Sequence, residues 1–233
     1  MKRVCILHSQ VLQVARCAPD HQKSMDLVRN LQSVHPQADA IFQGIQGFLR
    51  SQGSAGPIHT IFCLDDSGSM TSSWPSVKEA VQTFIGIRQD LGSPGDLFSC
   101  IQFSSNTAVA FQQTQIATAL QHASSLILRG GGTLFIPALQ AVSGLVQAGQ
   151  QVAIVFMTDG ASSDNPVAIA QSIMGIGAQI SFFGVAFTPD CKTQTLQDMV
   201  QAFNGSLVEA ANVKELRAQF QVIAQNPTAA HAR

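Results

Sequence analysis

Three oxygen-bearing side chains occur at alternate positions directly after a short apolar run. The run covers residues 58–64. Asp65, Ser67 and Ser69 follow it, with Gly68 between the two serines. A β-rich run that is apolar on both faces predicts a central, buried strand, so the polar side chains are expected at its carboxyl end, where open α/β sheets hold their sites. One carboxylate and two hydroxyls, with a glycine that permits a tight turn, are suitable ligands for a hard cation such as Mg²⁺.

Two distant segments contain further oxygen donors of the same kind. Thr133 follows the glycines at 130–132 and begins a predicted helix, in which apolar residues recur at helical spacing. Asp159 comes shortly after a second apolar run, residues 152–157. If the two runs are neighbouring parallel strands, Asp65 and Asp159 face one crevice and Thr133 closes a third side.

Together these segments resemble the metal-ion-dependent adhesion site of the von Willebrand factor type A family. The family's pattern is DxSxS, then a threonine after paired glycines, then an aspartate within TDG, and every one of these positions is filled here. The resemblance covers about residues 58–223. It implies that Ser67, Ser69 and Thr133 contact the metal through their hydroxyls. It also implies that Asp65 and Asp159 act largely through bound water, with Thr133 and Asp159 exchanging direct contact between states.

A site of this composition favours binding of a partner protein. Neutral hydroxyls donate less charge to Mg²⁺ than carboxylates do, so the metal stays electrophilic and an Asp or Glu of a partner can displace its exchangeable water. The predicted cofactor is Mg²⁺, with Mn²⁺ or Ca²⁺ as alternatives. The rim that would meet the partner is predicted to contain Met70, Trp74, Gly132 and Gly160, although Trp74, at a helix start, fits plain packing equally well.

No predicted ligand is an obvious general base or nucleophile, so the protein is predicted to be a binding module of scaffold or assembly-factor type and not an enzyme. Two alternatives stay open: a metal-dependent phosphate-hydrolysing enzyme, and a structural domain with a vestigial metal site. Asp66 falls outside the alternating ligand positions, and Asp164 is predicted to cap the helix that Pro166 opens. The six histidines are scattered, without metal-binding spacing.

The composition is that of a globular protein with a large core. The chain has 233 residues, of which 45% are hydrophobic and 12% charged, and its net charge is -1. This charge gives no electrostatic footprint for nucleic acid, and no apolar stretch approaches the ~18 residues needed for membrane insertion. Residues 1–10 do not resemble a secretory signal, so the expected location is cytoplasmic. The five cysteines lack paired spacing, and Cys63 and Cys100 are predicted to be buried thiols within strands.

Predicted helices and strands alternate along most of the chain, which favours parallel crossovers. The predicted fold is therefore α/β: a doubly wound, Rossmann-like, mostly parallel six-stranded sheet with helices on both faces. The strands are expected at 58–64, 96–103, 107–111, 152–157, 179–187 and 206–208. The short turn at 104–106 makes one edge strand antiparallel, in agreement with the family's strand order 3-2-1-4-5-6.

Three parts of the chain are distinguished by sequence: a helical N-terminal segment at 1–55, the type A domain at 56–225 and a polar tail at 226–233. Apolar spacing predicts two amphipathic helices between residues 20 and 49, whereas the apolar residues at 4–14 fit a strand or a short helix equally well. The N-terminal segment is interpreted as a packing appendage, with a docking element for another chain as the alternative.

Overall fold

The computed structural model describes residues 57–160, 162–188 and 194–228. In these ranges the strands form one six-stranded sheet. They are β1 (Ile58–Asp65), β2 (Leu97–Phe103), β3 (Thr107–Thr114), β4 (Gln151–Thr158), β5 (Gln179–Phe187) and β6 (Ser206–Ala210). The helices are α1 (Trp74–Asp90), α2 (Ile116–Ser124), α3 (Phe135–Leu145), α4 (Val167–Met174), α5 (Gln194–Ala202) and α6 (Val213–Gln225), and a 3-10 helix spans Gly68–Ser72.

The described residues all belong to one compact unit. No helix among them is long and apolar enough to cross a membrane. The predicted helical segment at 1–55 and most of the predicted tail at 226–233 lie outside the described residues.

The sheet has the strand order β3-β2-β1-β4-β5-β6. β1 pairs in parallel with β2 and β4, β5 pairs in parallel with β4 and β6, and β3 runs antiparallel to β2 at one edge. The predicted mostly parallel six-stranded α/β sheet with one antiparallel edge strand is therefore confirmed. The direction in which successive strands are added reverses between β1 and β4, so their carboxyl ends form the crevice in which this class of fold binds ligands.

β3 is longer than the strand predicted at 107–111. Its pairing with β2 shifts register between Phe98 and Ile101, and Gln113 takes a positive φ of 48°. The Gln113 N–H donates to Ser99 Oγ at 2.8 Å, and Thr114 then pairs with β2 again. An irregularity of this kind adds residues to a strand without the alternation on which sequence prediction depends.

Helices pack on both faces of the sheet and hold its two central strands. β1 is buried along its whole length. On one face Phe62 of β1 packs edge-on against Phe84 of α1, with ring centroids 5.1 Å apart, and stacks with Phe220 of α6 at 6.3 Å. On the other face Phe156 of β4 packs against Phe135 of α3 at 4.9 Å. Burial of aromatic surface on both faces fixes the two strands that end at the candidate site.

Cys63 and Cys100 are free thiols in the core, which confirms the prediction that they are buried. Burial raises the pKa of both thiols, because the thiolate loses its hydration in an apolar interior. Protonated, buried thiols are unreactive, so we interpret both as packing residues.

The buried His59 of β1 makes the stability of the fold depend on pH. It is 3% exposed, and its Nε2 lies 2.8 Å from the Ser99 hydroxyl. Burial lowers the pKa of the His59 ring from 6.5 to about 4, with a smaller opposing effect from the Gln150 side chain. The unfolded chain therefore binds a proton at a higher pH than the folded chain does.

We expect the contribution of His59 to the free energy of unfolding to be largest above about pH 6.5 and to fall as the pH drops towards 4. This contribution falls by about 2 kcal/mol between about pH 7 and pH 5. Urea unfolding at the two pH values measures it. The His59→Gln variant should lose this part of the pH dependence, whereas the exposed control His122→Gln should keep it. An unchanged pH dependence in His59→Gln would contradict the assignment.

Candidate metal centre

Asp65 and Asp159 lie at the carboxyl ends of two neighbouring strands. Asp65 is the last residue of β1, and Asp159 follows Thr158, the last residue of β4. Leu64 and Met157 are partners in the parallel register, so the two aspartates start from adjacent positions at one edge of the sheet. The crevice expected from the sequence is formed by these two strands.

Ser67 and Ser69 connect the two carboxylates through one backbone N–H and two hydroxyls. The Ser67 N–H donates to Asp65 Oδ1 at 2.9 Å, and Ser67 Oγ lies 3.1 Å from Ser69 Oγ. The Ser69 hydroxyl in turn donates to Asp159 Oδ1 at 2.9 Å. Asp65 and Ser67 are buried, whereas Ser69 is exposed. Four of the predicted ligands thus form one continuous group that opens to solvent at Ser69.

The 3-10 helix at Gly68–Ser72 produces this arrangement and also buries Met70. After Ser67, which is extended, the chain turns so that the Met70 N–H donates to the Ser67 carbonyl at 3.1 Å. Met70 is 0% exposed. Trp74 is 5% exposed, and its indole N–H donates to the Leu126 carbonyl at 3.4 Å. The structure corrects the prediction that Met70 and Trp74 line the rim, because both side chains pack in the core.

The glycine loop at 130–132 places Thr133 beside the turn that follows β4. The Gly68 N–H donates to the Gly131 carbonyl at 3.0 Å, which ties this loop to the 3-10 helix. Gly131 has a φ of 107°, a conformation that residues with a side chain rarely adopt. Thr133 Oγ1 lies 4.0 Å from the position that a Cβ on Gly160 would take, so the hydroxyl faces that turn. Gly132 is exposed and Gly160 half-buried, and both lie at the surface beside the predicted ligands.

Asp164 caps a different helix from the one predicted. Its carboxylate oxygens accept hydrogen bonds from the N–H groups of Phe135 and Ile136, at 3.1 and 2.7 Å, which are the first two residues of α3. The first N–H of α4 donates to Asn165 Oδ1 at 3.2 Å instead. The predicted cap of α4 is therefore corrected. Asp164 fixes the start of α3, two residues after Thr133.

Two side chains next to the candidate ligands were not found by sequence reasoning. The Thr158 hydroxyl donates to Asp65 Oδ2 at 2.6 Å and holds this carboxylate from the side of β4. Arg129 forms an ion pair with Asp66, with 2.5 Å between Nε and Oδ2. The threonine of the TDG pattern was a signal for Thr158, whereas Asp66 and Arg129 are 63 positions apart in sequence, so no local signal indicated the ion pair.

Burial raises the pKa of Asp65 and the pKa of Asp159, because their ionised forms lose hydration. The negative charge of Asp159 raises the pKa of Asp65 further, while hydrogen bonds from Ser67 and Thr158 act in the opposite direction. A cation bound between the carboxylates would favour their ionised forms. The electrostatics of the pair therefore favour binding of a cation.

The donor set suits a hard divalent cation. Two carboxylates and three hydroxyls, those of Asp65, Asp159, Ser67, Ser69 and Thr133, offer oxygen atoms only. In the part of the chain that the structure describes, no group of three or more His, Cys, Asp or Glu side chains could hold a metal. A zinc site built from thiolates or imidazoles is thus not found there. Mg²⁺ is bound through one or two carboxylates and keeps several waters, which fits this set.

Comparison with known proteins places the chain in a family. The sequence model of the von Willebrand factor type A domain family matches residues 60–224 of this chain. No curated protein matches the chain.

Solved structures share the fold at low sequence identity. The proximal thread matrix protein 1 of the mussel byssus, with a zinc-occupied MIDAS motif, has a TM-score of 0.59 and 18% identity over 72% of this chain and 47% of that chain. A von Willebrand factor type A protein from Catenulispora acidiphila has a TM-score of 0.60 and 18% identity, over 74% and 43% of the two chains. The pilus adhesin SpaC from Lactobacillus rhamnosus GG has a TM-score of 0.62 and 16% identity, over 75% and 30%. This chain thus spans less than half the length of each of these proteins. Since the family model covers most of the chain, the protein belongs to the von Willebrand factor type A domain family.

Proposed function

We propose that this protein is a metal-dependent protein-binding module, in which a bound Mg²⁺ is completed by an Asp or Glu of a partner protein. The residues that would hold the ion are Asp65, Ser67, Ser69, Thr133 and Asp159. The observation that carries the proposal is the continuous contact from Ser67 Oγ through Ser69 Oγ to Asp159 Oδ1, at 3.1 and 2.9 Å. Domains of this family are metal-dependent adhesion and protein-interaction modules.

The contacts among these residues leave suitable electron pairs for a cation. A serine hydroxyl that donates its hydrogen to a carboxylate keeps its lone pairs, so Ser69 can donate to Asp159 and still act as a ligand. Asp65 is held by the Ser67 N–H and the Thr158 hydroxyl, at 2.9 and 2.6 Å, and therefore needs little reorganisation. These residues fix the oxygens before the ion arrives, which lowers the entropic cost of binding.

A partner's carboxylate would approach from the solvent side of this group. Ser69 and Gly132 are exposed there, while Asp65 and Ser67 are buried beneath. Since the three hydroxyls are neutral, the two aspartates alone offset the charge of a divalent cation, and an added anionic ligand meets little repulsion. We therefore expect metal and partner to strengthen each other's binding by the same factor.

We further propose that the protein acts in the cytoplasm as a scaffold or assembly factor and not as an enzyme. The part of the proposal that excludes an enzyme rests on the oxygen-only donor set, in which neither His nor Cys stands among the predicted ligands as a base or nucleophile. The zinc at the MIDAS motif of the mussel protein makes Zn²⁺ a second ion worth testing here. The hardness of the oxygen donors favours Mg²⁺.

The direct test measures binding of Mn²⁺, a paramagnetic substitute for Mg²⁺, by electron paramagnetic resonance of the free ion. We expect one site per chain, with Mn²⁺ displaced by Mg²⁺. Pull-downs with added Mg²⁺ and with excess chelator should then differ in one or more captured proteins, and alanine in place of the partner's key acidic residue should remove the metal dependence. Lack of Mn²⁺ binding would contradict the proposal. Turnover of a phosphate ester by the metal-loaded protein would favour the enzyme alternative.

A further inference from the structure

The glycine loop that precedes Thr133 has little stiffness of its own. Its three glycines allow many backbone conformations, and two of them have positive φ, 78° at Gly130 and 107° at Gly131. Within the loop, the Gly131 carbonyl accepts from the Gly68 N–H at 3.0 Å and the Gly132 N–H donates to Ser105 Oγ at 2.7 Å, and further contacts hold the loop at both ends. At its far end the loop is fixed by Asp164, which caps α3. The near end begins at Arg129.

Arg129 is bound through a forked contact to a fully buried carboxylate. Its Nε and Nη2 donate to Asp66 Oδ2 and Oδ1 at 2.5 and 3.0 Å. Asp66 is 0% exposed and comes directly after Asp65, while the Arg129 side chain is 31% exposed. A planar guanidinium on a carboxylate fixes orientation as well as distance. Asp66, which follows the predicted ligand Asp65, thus holds Arg129, which precedes the glycine loop.

Further hydrogen bonds extend this contact to the neighbouring segments. Gln102 Nε2 donates both to Asp66 Oδ2 at 3.0 Å and to the Ile127 carbonyl at 2.8 Å. Arg129 Nη2 also donates to the Asn106 carbonyl at 3.1 Å. A backbone hydrogen bond joins the same two segments, since the Gly130 N–H donates to the Asp66 carbonyl at 2.9 Å. The Asp66 carboxylate accepts three donors in all, which satisfies a charge that would be costly to bury alone.

We propose that Arg129 is a positioning residue of the metal centre, which sets the glycine loop through its fork on Asp66 so that Thr133 meets the other ligands. The inference rests on the proposed function and adds residues to it that do not touch the ion. Asp66 fixes the near end of the loop and Asp164 the far end. Three flexible glycines between these anchors then have few conformations left.

An alternative role for Arg129 is electrostatic. A guanidinium near the site repels cations, and neutralising Asp66 removes an attraction, so single substitutions change charge and geometry together. The double variant Asp66→Asn/Arg129→Gln removes one charge of each sign and keeps the sum unchanged. The glutamine side chain that it introduces is also too short to span the contact as arginine does. Arg129→Lys separates the effect of charge from the effect of geometry in a second way, because lysine keeps the positive charge but cannot make the two-point contact with the Asp66 carboxylate.

The experiment measures the Mn²⁺ dissociation constant of the full chain and its variants at a temperature well below unfolding. We expect the double variant to bind Mn²⁺ about 10-fold more weakly, the lower end of the loss seen when residues that orient metal ligands are replaced, because Thr133 loses its fixed position. Arg129→Lys should also bind more weakly. An affinity within about two-fold of the wild type in both variants would overturn the inference and leave the proposed function intact. Absence of Mn²⁺ binding by the wild type would instead overturn the proposed function and the inference together.

A matched control separates positioning from general loss of stability. The buried pair of Arg88 and Asp96, 2.7 Å apart, has the same chemistry, but Asp96 also binds the N–H of Ile58 at the other end of β1. The Asp96→Asn variant should lower the urea midpoint without changing the Mn²⁺ dissociation constant. If it weakens Mn²⁺ binding as much as the Arg129 variants do, the metal centre responds to global stability and the inference is wrong.

Discussion

The Asp159→Asn variant is expected to bind Mn²⁺ at least about 100-fold more weakly than the wild type. Loss of an outer contact costs about 10–100-fold in metal affinity, and a proposed ligand itself should cost no less. Asparagine keeps the shape of the side chain and an oxygen that can accept from Ser69, so the loss reports the charge of the ligand. Binding to a metal-dependent partner should disappear with it.

The same substitution should not destabilise the metal-free protein. Burial raises the pKa of Asp159, and the charge of Asp159 raises the pKa of Asp65, so the ionised pair costs stability at neutral pH. Removing one charge relieves this repulsion, and the metal-free midpoint of thermal unfolding should stay level or rise. Added Mn²⁺ should raise the midpoint of the wild type, because an ion that binds only the native state stabilises it. The midpoint of the variant should stay unchanged, because the variant binds the ion too weakly.

The matched control is Asp90→Asn, which makes the same change in charge at an exposed position at the end of α1. This variant should bind Mn²⁺ as the wild type does. Near-wild-type affinity in Asp159→Asn, with one site per chain retained, would show that the ion binds elsewhere on the protein. The assignment of the site to the ends of β1 and β4 would then be abandoned.

The sequence was sufficient for the parts of the fold that depend on continuous burial. β1 and β4 are apolar on both faces because both lie at the centre of a sheet with helices on each side, and such runs are recognisable without knowledge of their neighbours. Asp65 and Asp159 interrupt these runs where each strand ends. The place of two candidate ligands therefore follows from local pattern and the general geometry of parallel sheets.

Contacts between distant segments could not be predicted in this way. Asp164 lies close to the start of α4 in sequence, yet its carboxylate caps α3, 29 residues from Phe135. Met70, predicted at the rim, directly follows the DxSxS pattern in sequence and lies in the core. A 3-10 turn of five residues is too short for apolar periodicity to show which of its side chains enters the core.

The Arg88→Met variant should lose about 3–5 kcal/mol of unfolding free energy, a large share of what holds an ordinary domain together. Arg88 and Asp96 are 6% and 1% exposed, and their side chains meet at 2.7 Å between Nε and Oδ2. Methionine would fill much of the volume but leave the carboxylate of Asp96 buried without its cation. Urea unfolding at neutral pH measures the loss.

The expected loss of stability in Arg88→Met is large because several elements meet at the ion pair of Arg88 and Asp96. Asp96 Oδ1 accepts from the Ile58 N–H at 3.0 Å, where β1 begins, and Arg88 Nη1 donates to the Ala224 carbonyl at 3.4 Å, near the end of α6. The exposed pair of Arg217 and Glu79 joins α6 to α1 as well, so Arg217→Ala is the control, with an expected loss of about 0–1 kcal/mol. Equal small losses in both variants would mean that water reaches Asp96 once Arg88 is gone. Since Asp96 binds the N–H of Ile58, at the opposite end of β1 from Asp65, the Arg88→Met variant should not change the Mn²⁺ dissociation constant.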